Sequence, residues 1–305
     1  AAHSQQMSTG LCDLHRHLDG SIRPSTVREL AEDTATDIPT DLCFTPGMGL
    51  QAALSRFAFT LSLLQQPDQV ERVASELCED AAATGVTTLE IRFAPQLHTG
   101  APMDQVVDAA LRGINGRAGL ILCALYGDPP ALADKLVDLA IPRLGVVGID
   151  LAGGPAPHHR WGMSDLQPVF QRARGNGIGR TVHAGEGRPA SEIRMAVELL
   201  DAQRIGHGIT VLDDPEVTAL VRDRGITIEA CPTSNWQVGV IPSIDAHPLP
   251  LWLAQDLRVC INTDNTLLSD TDAAKETDRV RNIPGIGQAQ IDRLHAHGHA
   301  ARFCR

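Results

Sequence analysis

Two histidines one residue apart, His15 and His17, begin a series of nitrogen and oxygen donors spread along the chain. They sit in "CDLHRHLDG", which reads as a β-strand, and alternation in a strand puts residues two apart on one face. Paired imidazoles on one face are either a surface coincidence or two ligands of one metal ion. Further along, "VHAGE" supplies His183 and then Glu186, "GHG" supplies His207, and "NTDN" supplies Asp264 and Asn265. Each has a bland reading: a satisfied core histidine, or an aspartate capping the next helix. Three imidazoles with one carboxylate nevertheless suit zinc, and iron or manganese accept the same ligand types. Bound zinc brings the pKa of water to about 7, so a hydrolase built on it needs only a proton shuttle. Glu186 is the candidate shuttle, and His207 is placed to stabilise charge. No lysine stands where it could bridge two ions, which favours one metal per chain.

These residues must be brought together by elements far apart in sequence. Eight short apolar, β-branched runs recur, at residues 11–17, 86–94, 120–126, 144–151, 178–184, 204–208, 226–232 and 257–264. Helical patterns lie between them. "RPSTVRELAED" opens with Pro and Ser, "ASEIRMAVELLDA" repeats apolar residues at a 3.6-residue period, and "PEVTALVRDRG" closes on glycine. Strand and helix alternating eight times predict parallel strands closed into a (β/α)8 TIM barrel. An open doubly wound sheet is disfavoured, because no G-x-G-x-x-G follows the first strand. In a barrel the strand ends form one bowl, and His15, His17, His183, His207 and Asp264 all fall at such ends. Residues 34–85 are too many for one crossover helix and predict a helical insertion between strands 1 and 2. There Leu54, Phe57, Ala58 and Leu61 share a face, either as core packing or as an apolar lid that touches substrate.

Composition bounds the rest. The 305 residues are 43% hydrophobic and 21% charged, enough for a sizeable core, and only 3% aromatic, so Leu, Val, Ile and Ala must build it. A net charge of -11 argues against nucleic acid or an anionic membrane as partner. No apolar run approaches the roughly 18 residues of a membrane span. Seven cysteines without a C-x-x-C pair read as reduced thiols in a cytoplasmic protein. Residues 1–10 read as a flexible N-terminus without signal-peptide character, with Met7 as a natural start and the residues before it foreign. Residues 11–305 read as one domain. His158 and His159 fall in a Pro-rich loop, and His295, His297 and His299 fall in a helical pattern that predicts a solvated surface.

The motifs "LHRHLDGSIRPSTV", "IDLAGGP", "VHAGEG", "RIGHGI", "CPTSN" and "INTDN", in this order, resemble the adenosine deaminase family of the metal-dependent amidohydrolases. The resemblance runs from about residue 11 to about 270 and is closest to bacterial members. It implies a hydrolytic deamination at C6 of a purine nucleoside, with one Zn2+ per chain held by His15, His17, His183 and Asp264. It implies that Glu186 protonates N1 of the ring, that His207 orients the attacking water, that Asp19 touches the ribose and that Gly153 brings a backbone N–H to the N3 edge. The sequence departs from the family at Asn265, where many members carry a second carboxylate. An amide still offers a donor to N7. It departs again in "GGPAPHHRWG", which lacks the usual acidic residues on the ribose side. Alternatives are the same chemistry on a modified nucleoside such as aminofutalosine or on free adenine, and, from another class, an inactive purine-binding protein that would tend to lose a ligand or the acid. A phosphate-bearing substrate is disfavoured by the lack of a glycine-rich phosphate loop or arginine cluster at the site.

Overall fold

The computed structural model describes residues 10–305; the expected flexible N-terminus and His3 lie almost wholly outside them. Eight parallel strands follow one another in spatial order: β1 (Leu11–His17), β2 (Val86–Phe93), β3 (Gly119–Leu125), β4 (Val146–Ala152), β5 (Gly179–Ala184), β6 (Arg204–His207), β7 (Thr227–Ala230) and β8 (Arg258–Ile261). Strands β1 and β8 meet through an isolated parallel bridge between Arg16 and Asp264, which brings the edges of the sheet together into the expected barrel. Each strand lies within about two residues of its predicted run, except β8, which ends at Ile261, three residues before the end of the run at 264.

Local chemistry accounts for the crossovers. Proline starts many of the helices, as in Pro24–Asp33, Pro67–Ala83, Pro130–Ala140 and Pro215–Asp223, where its missing N–H costs no helical hydrogen bond. Asp214 and Asp272 cap helices Pro215–Asp223 and Ala273–Arg281 by accepting from the backbone N–H groups of Glu216 and Lys275. Apolar faces such as Val70, Val73, Ala74 and Leu77 pack on the outside of the strands. Burying each such side chain contributes about 1.5–3 kcal/mol before entropy is counted. The insertion is helical, as predicted: Leu50–Ser55 and Phe57–Ser62 precede the crossover helix Pro67–Ala83. The two short helices are anchored by a small cluster of Leu42, Phe44, Ala53, Val238 and Leu268 over the C-terminal ends of the strands.

Two expectations are corrected. Leu, Val, Ile and Ala fill the layer between strands and helices, but the barrel interior is charged: Glu90, Arg92, Asp150, Arg204 and Glu229 are all buried there. They are tolerated because each is paired with opposite charge, Arg92 with Asp150 and Glu229 at 3.0 and 3.1 Å, and Arg204 with Glu90 and Glu229 at 2.7 Å each. The second correction concerns His295, His297 and His299, which are not solvated surface. Helix Gln288–Ala301 lies against the N-terminal end of the barrel. His295 packs against Cys12, His297 sits at the backbone of Val259, and His299 bridges Thr88 and the Gly10 carbonyl. Gly298 permits this approach, since a Cβ there would stand 1.9 Å from Cys12 Sγ. Five cysteines are buried, Cys43 and Cys304 are exposed, and all seven are free thiols. None of the described helices is long and apolar enough to cross a membrane.

Candidate active site

The seam of the barrel brings three donors together. The Asp264 amide donates to the His15 carbonyl and the Asp264 carbonyl accepts from the His17 amide, both at 2.8 Å. Strand β5 adds His183 from the far side. One ligand atom from each of His15, His17, His183 and Asp264 lies within 4.8 Å of the others. Asp264 and His207 both adopt left-handed backbone, with φ of 64° and 69°. That conformation costs a non-glycine residue on the order of 1–3 kcal/mol and concentrates where function requires it.

The outer hydrogen bonds determine which nitrogen each imidazole presents. Glu229 accepts from His15 Nδ1 at 2.9 Å, and Asp150 takes His183 Nδ1 at 3.1 Å. Carboxylates in this position fix the tautomer, so Nε2 carries the lone pair. His15 Nε2 is buried without a hydrogen-bond partner, and it faces Asp264 Oδ1 at 3.1 Å. A lone pair facing a carboxylate oxygen at that range calls for a cation between them. The donor set therefore fits a metal ion. Gly206 in β6 leaves room for the ring, because a Cβ there would meet His15 at 3.1 Å. A second grouping replaces His17 and His183 with His207 and Cys231. It is the poorer ligand set: burial, with the charges of Asp264 and Glu229, pushes the Cys231 thiol well up and keeps it protonated.

Glu186 and His207 stand beside this group. Glu186 Oε2 lies 3.6 Å from His207 Nε2, which is 3.8 Å from Asp264 Oδ2. Burial, reinforced by the charges of Asp264 and Glu192, raises the Glu186 carboxyl well above the usual range. Burial also drives His207 well below its usual value, with the surrounding imidazoles adding to the effect against Asp264. Asp264 moves the other way: burial would raise it, but His15, His17 and His207 together hold it well below. The surroundings thus favour the protonated form of Glu186, the neutral form of His207 and the ionised form of Asp264, all within a few ångströms. Asn235 donates to His207 Nδ1 at 3.0 Å, leaving the ring proton on Nε2. Ser234 donates to Asp264 Oδ2 at 2.8 Å.

The remaining predicted residues surround a cleft. An inner pocket is lined by His17, Leu54, Phe57, Gly153, Glu186 and Asn265 among others. It shares His17, Leu54, Phe57 and Gly153 with an outer cavity of about 480 Å³, where Asp19, Ala58, Leu61, His158 and His159 are added. Leu54, Phe57, Ala58 and Leu61 therefore face open space above the donors, as a lid would, although Leu63 and Leu64 just beyond them are core. Gly153 follows β4 directly, with a φ of 78° at which a side chain would be strained. Asp19 is buried, and Asn265 packs against Gly20 with its Oδ1 buried and unpartnered.

Sequence reasoning did not find Asp150, Glu229, Arg92, Ser234 or Asn235. The first three had a signal: "GIDL", "TIEA" and "EIRF" each place a charge inside an otherwise apolar strand. Arg92 links the two carboxylates that orient His15 and His183.

Comparison with known proteins gives a consistent result. The family model described as adenosine deaminase matches residues 10–305, which extends the resemblance past residue 270 through the closing helix. Among curated proteins, adenosine deaminase of Mycolicibacterium vanbaalenii is 36% identical over 95% of this chain and 89% of its own length. Adenosine deaminase of Enterococcus faecalis is 37% identical over 87% and 83%. Among solved structures, adenine deaminase from Arthrobacter aurescens superposes with a TM-score of 0.85 at 26% identity, covering 97% of this chain and 94% of that one. The Arabidopsis N6-mAMP deaminase superposes at 0.86, also at 26% identity, covering 98% and 94%.

Proposed function

We propose that this chain, which belongs to the adenosine deaminase family, hydrolyses the 6-amino group of an adenine-type purine nucleoside. Adenosine or 2′-deoxyadenosine and water would give inosine or 2′-deoxyinosine and ammonia. The observation that carries the reading is Glu186, a buried carboxyl at the edge of a three-histidine, one-aspartate donor set, where burial favours its protonated form. We assign the metal as zinc, one per chain, on His15, His17, His183 and Asp264, because three imidazole nitrogens and a carboxylate oxygen are its usual donors in a catalytic site. A zinc ion bound there would supply an activated water near neutral pH.

The other steps belong to the chain's own side chains. Glu186, protonated, donates to N1 of the purine and so draws electron density away from C6, where water adds. The carboxylate this leaves takes a proton from the adding water and passes it to the departing amine; as ammonia leaves, the second proton of the added water returns to Glu186 and the C6 oxygen remains as a carbonyl. His207, held by Asn235 with its proton on Nε2, donates to the oxygen as charge develops on it. Asn265 offers an amide N–H to N7, which a carboxylate could do only when protonated. Asp19 accepts from the sugar hydroxyls, and the Gly153 N–H meets the N3 edge. Leu54, Phe57, Ala58 and Leu61 cover the base and exclude water. Free thiols suit a cytoplasmic location.

A second reading shares the chemistry but changes the substrate. The outer cavity ends on His158 and His159 and carries only Asp19 as an acid. That end favours a nucleoside modified at the sugar, such as aminofutalosine, or no sugar at all, as in adenine. Ammonia release from adenosine, 2′-deoxyadenosine, adenine, AMP and aminofutalosine, with and without a chelator, separates the readings. Chelator-sensitive turnover of adenosine or 2′-deoxyadenosine well above the rest is the expected result. Preference for adenine or aminofutalosine would transfer the assignment to the second reading.

A further inference from the structure

A cavity of about 840 Å³ lies away from the donor cluster. It lies at the opposite, N-terminal mouth of the barrel. The first residues of four consecutive strands line it, Gly179, Arg204, Thr227 and Arg258, and the segment from Ala300 to Cys304 walls one side. Its lining includes six arginines, Arg174, Arg180, Arg204, Arg224, Arg258 and Arg302, and no aspartate or glutamate. The chain as a whole has 37 acidic residues against 26 Lys and Arg, so a wall of one sign runs against its composition.

The charge is only partly neutralised from outside the wall. Arg204 is matched by Glu90 and Glu229 on its barrel-interior side, and its guanidinium is covered by the Phe303 ring at 3.8 Å. Arg174 pairs with Asp201. Arg180 is buried, yet its guanidinium donates only to the backbone carbonyls of Asp201 and Ile178. Burial, with Arg174 adding to it against Asp201, accordingly lowers its pKa. Arg224, Arg258 and Arg302 are exposed at the rim and form no ion pair among the described residues. Elsewhere the molecule pairs its arginines freely, as at Arg23, Arg72 and Arg172.

We propose that this cavity is a binding site for a small polyanion, an oligophosphate or polycarboxylate, held by Arg180 at its wall and by Arg224, Arg258 and Arg302 at its rim. Guanidinium groups present a planar fork that matches phosphate and carboxylate oxygens two at a time. The volume falls within the roughly 300–1,000 Å³ of small-molecule sites. The site is separate from the purine cleft, which is at the other end of the barrel.

Isothermal titration calorimetry at about 50 mM salt tests this with sodium tripolyphosphate and, separately, citrate, on the zinc-loaded protein. Three proteins are compared: the native chain, R224A/R258A/R302A, and the charge-matched control R28A/R112A/R281A. All six positions are exposed, so neither variant disturbs the core. Chelation of metal by a probe contributes equally to all three and cancels. The expected result is one saturable event for at least one probe, weakened tenfold or more in the cavity variant and by less than threefold in the control. The more tightly held probe identifies the anion as phosphate or carboxylate. No saturable binding of either probe, or equal weakening in both variants, overturns the proposal.

Discussion

At the scale of single residues, the protonation of Glu186 matters most. Burial raises its pKa, and its proposed task is to give up a proton, so activity belongs to the protonated form. As pH rises through the raised pKa, kcat/KM should fall, and a pH–rate profile should show that alkaline limb. The same shift has a consequence for stability. Above about pH 4.3 an unfolded chain has lost the Glu186 proton while the native protein still holds it. The native state then binds more protons, so this residue's contribution to stability declines with rising pH until the raised pKa is passed. Glutamine does not titrate. The urea midpoint of metal-free Glu186→Gln should therefore gain on that of the native protein between pH 5 and pH 8. A constant gap across that range would show that Glu186 is not buried neutral.

At the scale of elements, the strands present the donors and their neighbours hold them in place. Strand β4 brings Asp150 to His183 Nδ1, and removing its charge leaves that ring free to change tautomer. Asp150→Asn should weaken metal affinity by about 10–100-fold, measured by competition with a chromogenic chelator, because outer hydrogen bonds tune a ligand to that extent. The roof is a separable element. Phe57 lines both the inner pocket and the outer cavity, and it touches no donor through a hydrogen bond. Phe57→Ala should raise KM by about tenfold with kcat changed far less, since it removes contact made equally in ground and transition states. These elements were legible to different degrees. His15, His17, His183, His207 and Asp264 could be read because they end apolar runs and recur at the one end of a barrel where strands converge. Asp150 and Glu229 sit inside the runs, and periodicity alone does not show which buried charges face each other. Ser234 and Asn235 carry no periodic signal, since they belong to a seven-residue helix whose position is decided by the barrel beneath it. The roof residues could be placed on one face of a helix, but whether that face met core or cleft depended on how the insertion folds back.

At the scale of the whole molecule, one charged core serves two ends of the barrel. Arg204 touches both the basic cavity below and Glu229 above, and Glu229 holds His15. A barrel interior of apolar layers would bury the same volume with less desolvation, but it would leave His15 and His183 without acceptors for Nδ1. The closing helix illustrates what sequence pattern does not decide. Its histidines are spaced as on a polar surface, but His295 is buried and His297 and His299 are half-buried because the helix lies against β1 and β8. The account of the molecule as a metal-dependent purine deaminase rests on metal site and proton shuttle being distinct groups in one bowl. The most direct test measures zinc content and ammonia release together, for the native protein and for Glu186→Gln prepared side by side with adenosine as substrate. The account predicts one zinc per chain in both, and a loss of kcat of about 10²–10⁴-fold in the variant. A variant that kept more than a few per cent of native turnover, or that lost its zinc along with its activity, would contradict it.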